Sequence, residues 1–157
     1  MLAKRGVGEA NTLVSLMTEQ LGLVRVSARS ARFEKSKLRY GLEPLTRGRF
    51  SMVRGRYEWK LTGVERLSRG GVSSLASRRV AGRVSRLLLR LIHGEEPVPE
   101  LYATLAAGLS YLAQAPDAAE IEGAECMLVL RILAQLGYLS PVPEVESWVG
   151  SRTYTPE

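Results

Sequence analysis

The sequence predicts an α+β chain in which a small β-barrel precedes a short all-α region. Three observations predict it. Up to Glu65, several stretches alternate apolar and polar residues with the two-residue period of a half-buried strand. After Arg69-Gly70-Gly71 the apolar spacing becomes three and four, the period of a helix face. Glycines stand at the bends of the first part, as about five short strands in a closed or partly closed barrel require.

Thr12 to Thr18 mixes β-branched and apolar residues and is predicted as a strand. Thr18-Glu19-Gln20-Leu21-Gly22 reads as a turn, with Gly22 able to take a positive φ. Leu23 to Arg29 alternates strictly, with Leu23, Arg25, Ser27 and Arg29 on one side and Val24, Val26 and Ala28 on the other. The two strands make a hairpin with one buried face, and the open face of the second strand carries Arg25 and Arg29. Ser30 to Lys37 is a polar, basic connection. Leu38 to Val53 is expected to form one or two strands bent at Gly41, Pro44 and Gly48. Arg54-Gly55-Arg56 is a second turn, and Tyr57 to Glu65 alternates again with Tyr57, Trp59 and Leu61 on one face.

The helical part has three segments. Ser74 to His93 places Val80, Val84, Leu87, Leu88 and Leu91 on one face, and Gly94 stops it. Pro99 to Ala115 aligns Leu101, Leu105, Leu109 and Leu112, with Pro99 in its first turn. Asp117 to Leu139 offers Met127, Leu130, Ile132, Leu133 and Leu136 as apolar positions and ends near Gly137. From Pro141 the composition turns to Pro, Gly, Ser and Thr, so 141–157 is expected to be a loosely held tail.

Charge is sorted along the chain. Met1 to Gly94 holds 20 Lys and Arg against 6 Glu, and Glu95 to Glu157 holds 2 Arg against 10 Asp and Glu. The total of +6 hides a basic front half and an acidic back half. A basic block of this size attracts polyanions, of which nucleic acid is the commonest. Other classes are excluded. No apolar run approaches the roughly 18 residues of a membrane span, and MLAKRGVGEA has no apolar core of a secretion signal. The one cysteine, Cys126, permits neither an internal disulfide nor a cysteine-cluster zinc site, and on an apolar helix face it is expected to be a buried small residue. There is no Walker loop, no glycine fingerprint before a helix, no metal-ligand cluster, and His93 cannot serve a Ser/His/Asp set convincingly. The expectation is a cytoplasmic protein with no cofactor, no metal and no enzymatic step.

A pattern of short motifs runs through this frame. Gly8-Glu9-Ala10-Asn11 is followed by Leu16-Met17-Thr18-Glu19-Gln20-Leu21-Gly22, Val24-Arg25-Val26-Ser27-Ala28-Arg29, Lys35-Ser36-Lys37-Leu38 and Leu42-Glu43-Pro44-Leu45. In the helices come Leu101-Tyr102 and Leu130-Arg131-Ile132-Leu133-Ala134-Gln135-Leu136-Gly137-Tyr138. In order and spacing these resemble the RecO family of bacterial recombination mediators over most of residues 1 to 140. The resemblance implies an OB-fold DNA-binding domain over 1–70 and a helical domain over 72–140. It implies binding of single- and double-stranded DNA, strand annealing, and help to a recombinase in replacing single-strand-binding protein, in company with RecR. It also implies a nucleoid-associated location. The chain departs from the family in lacking the four-cysteine zinc site that some members carry and in ending soon after Tyr138. It reads as a short form, with a first strand that begins abruptly at Met1.

Within that frame Arg25, Arg29, Arg32, Lys35, Lys37 and Arg39 are the first candidates for phosphate contacts, interrupted only by Glu34. Phe33 is a base-stacking candidate in the same loop. Arg47, Arg49, Arg54 and Arg56 extend the basic surface or simply stand at turn tips. Tyr57 and Trp59 are stacking platforms or barrel core. Arg79, Arg83, Arg86 and Arg90 form a stripe on the first helix that needs an anionic partner, either DNA or Glu120, Glu122 and Glu125. Leu130, Leu133 and Tyr138 are expected to roof an apolar groove between helices. Arg131, Arg83 and Arg86 would rim it for the acidic, apolar-ended tail of single-strand-binding protein. The alternative function is an adaptor whose helices dock a partner while the basic half merely complements the acidic half.

Overall fold

The computed structural model describes residues 1–36, 38–67, 72, 74–114 and 117–139. Five strands come first: β1 Ala3–Val7, β2 Asn11–Thr18, β3 Gly22–Ala28, β4 Gly48–Arg54 and β5 Trp59–Arg66. Three helices follow: α1 Leu75–Leu91, α2 Pro99–Ala113 and α3 Ala118–Gln135. The α+β layout expected from the change of period is the one observed. Lys37, the Arg69-Gly70-Gly71 boundary, Ala115 and the 141–157 tail lie outside the described residues.

The strands form one sheet in the order β1-β2-β3-β5-β4. Neighbours run antiparallel except β3 and β5, which pair in parallel through Val26↔Trp59 and Ser27↔Lys60. Among the described residues no ladder joins β1 to β4, so strand pairing does not close the sheet. The segment leading into β4 bridges the gap instead. Leu45 N–H donates to the Met1 carbonyl at 2.9 Å, and Lys4 Nζ donates to the Leu42 carbonyl at 2.7 Å. The Met1 amino group donates to the Thr46 carbonyl at 2.7 Å.

The first strand, expected from the resemblance and not from alternation, is present: β1, with the sequence AKRGV, is recruited by its ladder to β2. The next segment departs from expectation. Leu38 to Arg47 is not a strand. It holds a single 3₁₀ turn at Arg39–Gly41 and a left-handed Leu45 at φ 65, and only Gly48–Arg54 extends, with a bulge at Ser51/Met52.

Apolar packing follows two centres. The inner face of the sheet buries Val14, Leu16, Val24, Val26, Ala28 and Leu61. The second centre joins Val80, Val84, Leu88, Leu101 and Ile132 of the helices to Leu2, Met17 and Leu23 of the sheet. Truncating a fully buried leucine such as Leu88 or Leu101 to Ala costs about 2–5 kcal/mol. Side chains start two of the helices: Ser74 Oγ accepts from Ser77 N–H at 3.1 Å, and Asp117 and Glu120 form a reciprocal capping box. The rotation of α3 differs from the sequence expectation. Gly108 of α2 lets Leu128 pack so closely that a Cβ there would collide with it. Leu128 and Ile132 are therefore buried, while Met127, Leu130 and Cys126 face outward. The expectation that Cys126 is buried is thus corrected.

Gly22, at φ 66, turns the β2–β3 hairpin and touches the loop between α1 and α2 so closely that a Cβ would collide with the Glu96 carbonyl. Gly22→Ala therefore combines left-handed strain with a clash and is expected to cost about 2 kcal/mol or more. Gly8→Ala, at φ 59 in open space, should cost only about 1 kcal/mol. Urea unfolding at constant m separates the two.

Burial lowers the Met1 amino group from its ordinary value of 8.0 to about 6. Between those values the unfolded chain binds more protons than the folded one, so stability rises with pH from about 6 to about 8. Two pH units at about 1.4 kcal/mol each set an upper limit near 3 kcal/mol. Urea midpoints at pH 6 and pH 8 check this, and Nα-acetylation should remove this contribution to the slope.

Candidate nucleic-acid interface

The outer face of the sheet changes character within one step of β3. Leu23, Arg25 and Ser27 share that face; Leu23 is buried against the helices, while Arg25 is exposed. The ladder registers show which residues flank Arg25. Ala3, Ser15 and Arg25 form one cross-strand row, and Arg5, Leu13, Ser27 and Lys60 form the next. Arg5 and Lys60 therefore join Arg25 on a face whose intervening positions are mostly small or polar. Neither was singled out from the sequence. The signal that finds them is strand register, which alternation within one strand does not contain.

β3 enters at the helices through Gly22 and leaves beside the β1–β2 turn, where Ala28 pairs Thr12, about 20 Å away. The loop after β3 folds back over that turn. Ser30, at φ 54, donates its N–H to Asn11 Oδ1 at 3.1 Å, and Arg32 N–H donates to the Ala10 carbonyl at 3.1 Å. Arg32 Nη1 donates to the Gly8 carbonyl at 3.0 Å, and a side chain at Gly6 would press on its guanidinium. Arg32 is thus anchored along β1, while Arg29, Lys35 and Arg39 around it are exposed. Phe33 is 58% exposed, and the neighbouring Tyr40, not expected from the sequence, is 72% exposed. This end of the sheet presents cations interleaved with aromatic rings, the composition that follows a single strand by charge and stacking. Lys37 lies outside the described residues.

The β4–β5 tip is built differently. Tyr57 is 87% exposed and precedes β5, so it is not core. Arg56 lies over its ring at 5.3 Å. Trp59 packs partly on the inner core, donates Nε1–H to Glu95 Oε1 at 2.9 Å, and has Arg54 over its ring at 5.4 Å. The indole thus serves as a clasp between sheet and helices. Arg47 is exposed, whereas Arg49 meets Glu65 at 3.4 Å in a solvent-facing pair worth little.

On α1, Arg79, Arg83, Arg86 and Arg90 are all exposed. Arg83 forms a two-pronged pair with Glu125 of α3, which holds that carboxyl below its usual range chiefly through the hydrogen bonds. Glu120 is occupied in the capping box. Leu130, Arg131 and Tyr138 are exposed and Leu133 is half-buried. These residues do not line the apolar cleft of about 890 Å³ that lies between α2 and the sheet, where Leu2, Met17, Phe50, Tyr102 and Leu105 meet. Among the described residues no group of His, Cys, Asp and Glu is placed to hold a metal, and no helix is long and apolar enough to cross a membrane.

Family models describe the same two parts. Residues 1–68 match "Recombination protein O N terminal" and residues 79–142 match "Recombination protein O C terminal". The chain belongs to the RecO family. The DNA repair protein RecO of Xanthomonas euvesicatoria is 37% identical over 115 residues, which are 72% of this chain and 48% of that protein. Its counterpart in Pseudomonas paraeruginosa is 33% identical over 141 residues, 88% of this chain and 56% of that protein. A Synechococcus RecO is 33% identical over 85 residues, 54% of this chain and 29% of that protein. The chain spans about half the length of the curated relatives it matches. The five-stranded sheet followed by three helices is consistent with an OB-like N-terminal domain and a helical C-terminal domain in this family.

Proposed function

We propose that this RecO-family DNA repair protein binds single- and double-stranded DNA on the outer face of β1–β2–β3–β5 and promotes annealing without an enzymatic step. The observation that carries the reading is the row arrangement of Arg5, Arg25 and Lys60, continued by Arg29, Arg32, Lys35 and Arg39 at the β1–β2 end. OB sheets bind oligonucleotides on the β2–β3 face and at the β1–β2 and β4–β5 turns, and the basic residues collect at those places. In this reading residues 1–70 are the nucleic-acid unit and 72–140 a helical unit. Phe33, Tyr40 and Tyr57 supply stacking surfaces. Annealing needs the cations to neutralise two strands enough to let them meet, after which base pairing supplies the free energy. Recombinase loading, RecR as a partner and a cytoplasmic, nucleoid-associated location extend the reading from the family resemblance.

Affinity for labelled oligo-dT is expected to fall with salt at a log–log slope of about −3 or steeper if four or more phosphates are engaged. Changing Arg29, Arg32, Lys35 and Lys37 together to Ala, or Arg5 and Lys60 to Ala, should weaken binding roughly tenfold at low salt. Circular dichroism should be unchanged, because Arg5, Arg29, Arg32 and Lys35 are exposed and Lys60 is only half-buried. Salt-independent affinity, or parent-like binding by both variants, would overturn the proposal.

Exposed Leu130, Arg131 and Tyr138 support a second role, docking the acidic, apolar-ended tail of single-strand-binding protein. Because Arg83 is already paired with Glu125, Arg131 and Arg86 are the cations of the expected rim left to meet the tail. Calorimetry at low salt should show weak tail binding that Arg131→Ala reduces. An absence of heat with the parent chain removes this role and leaves the DNA role standing.

A further inference from the structure

The arginine row of α1 is not used by the sheet-face reading, although a role for it in binding nucleic acid rests on that reading for the identity of the ligand. Arg79, Arg83, Arg86 and Arg90 fall within about 60° of helix circumference and run about 16 Å along the axis. Buried Val80, Val84 and Leu88 lie on average about 130° round the helix from the row, so the row stands outside the apolar stripe that packs α1. It opposes helix formation. Arg79 with Arg83, and Arg86 with Arg90, are like charges four residues apart. The first turn of α1 holds no acid to offset Arg78 and Arg79 near the positive end of the helix dipole.

The acidic back half does not neutralise the row. Among the described residues Arg83 is the one member that meets a carboxylate, and Arg79, Arg86 and Arg90 remain exposed without one. The Arg83–Glu125 pair ties α1 to α3 on one flank and leaves the rest of the row outward. Three cations held open against their own repulsion call for an anion from outside. The row contains no aromatic residue, so it is suited to phosphates and not to bases. One strand of duplex DNA carries a phosphate about every 3.4 Å of axis, so a row about 16 Å long can face about five phosphates of a strand.

We propose that Arg79, Arg86 and Arg90 form a second phosphate-backbone site, which holds a second nucleic-acid strand while the sheet face holds the first. Two separate basic surfaces on one chain would bring two strands together without requiring both to share one groove.

The test uses the 157-residue chain and the variant R79Q/R86Q/R90Q. Anisotropy of one labelled oligo-dT reads first-strand binding. Energy transfer between donor-labelled and acceptor-labelled oligo-dT, which cannot pair with each other, reads the bridging of two strands. The variant should bind one strand within about twofold of the parent and bridge two strands roughly tenfold less well at 50 mM salt. Its thermal midpoint should equal or exceed the parent's, since the changes relieve repulsion. Parent-like bridging by the variant overturns the second site while leaving the sheet-face reading intact. Loss of first-strand binding by the variant also overturns it, by making the row part of the primary site. A parent chain that binds no strand overturns both readings.

Discussion

One face of the β2–β3 hairpin serves both the core and the surface, and the division falls between two residues of the same strand. Leu23, opposite Met17, is buried under the helices, and Arg25, one pleat further on, is exposed. The helices cover the sheet at that end, where Gly22 admits the Glu96 backbone and Glu95 takes the Trp59 indole N–H. Everything beyond, from Arg25 to the β1–β2 turn, is left open. The position of the candidate interface follows from where the helices stop.

The distribution of charge has a matching logic. The sorted halves of the chain invite the idea that acid and base simply neutralise each other, yet among the described residues one ion pair, Arg83–Glu125, joins them. The pairs at Arg49–Glu65 and Arg66–Glu43 are local to the basic half. Most of the front half's cations therefore keep their charge available to solvent and to anything anionic that arrives from it.

Much of this was legible in the sequence where a single element decides its own fate. Strict alternation in β3 separated Val24, Val26 and Ala28 from Arg25, and the helical segments expected from Ser74 and Asp117 begin at the residues that cap α1 and α3. Features set by neighbours were not legible. β1 lacks the alternation of a strand, was expected only through the resemblance, and is held by the ladder that β2 offers it. Leu38 to Arg47 reads as extended, but its carbonyls and N–H groups are spent on Met1 and Lys4, across the gap in the sheet. On α3 the period was right and the phase was not, because Leu128 seats against Gly108 and turns Met127 and Leu130 outward. The candidate site divides in the same manner. Arg25 and Arg29 follow from alternation, whereas Arg5 and Lys60 enter only through cross-strand register.

The parallel pairing of β3 with β5 also has a bearing on time. The helices make contacts between residues near in sequence, and the β2–β3 hairpin closes over a five-residue turn from Thr18 to Gly22. The Val26↔Trp59 pairing instead has to close a loop that includes the whole basic connection and β4. Loop-closure entropy delays such contacts relative to local ones. During folding, the hairpin that carries Arg25 forms early, and Lys60 joins it only when β5 arrives. The basic face is thus completed later than the hairpin that begins it, and the chain lacks the full row until β5 is in place.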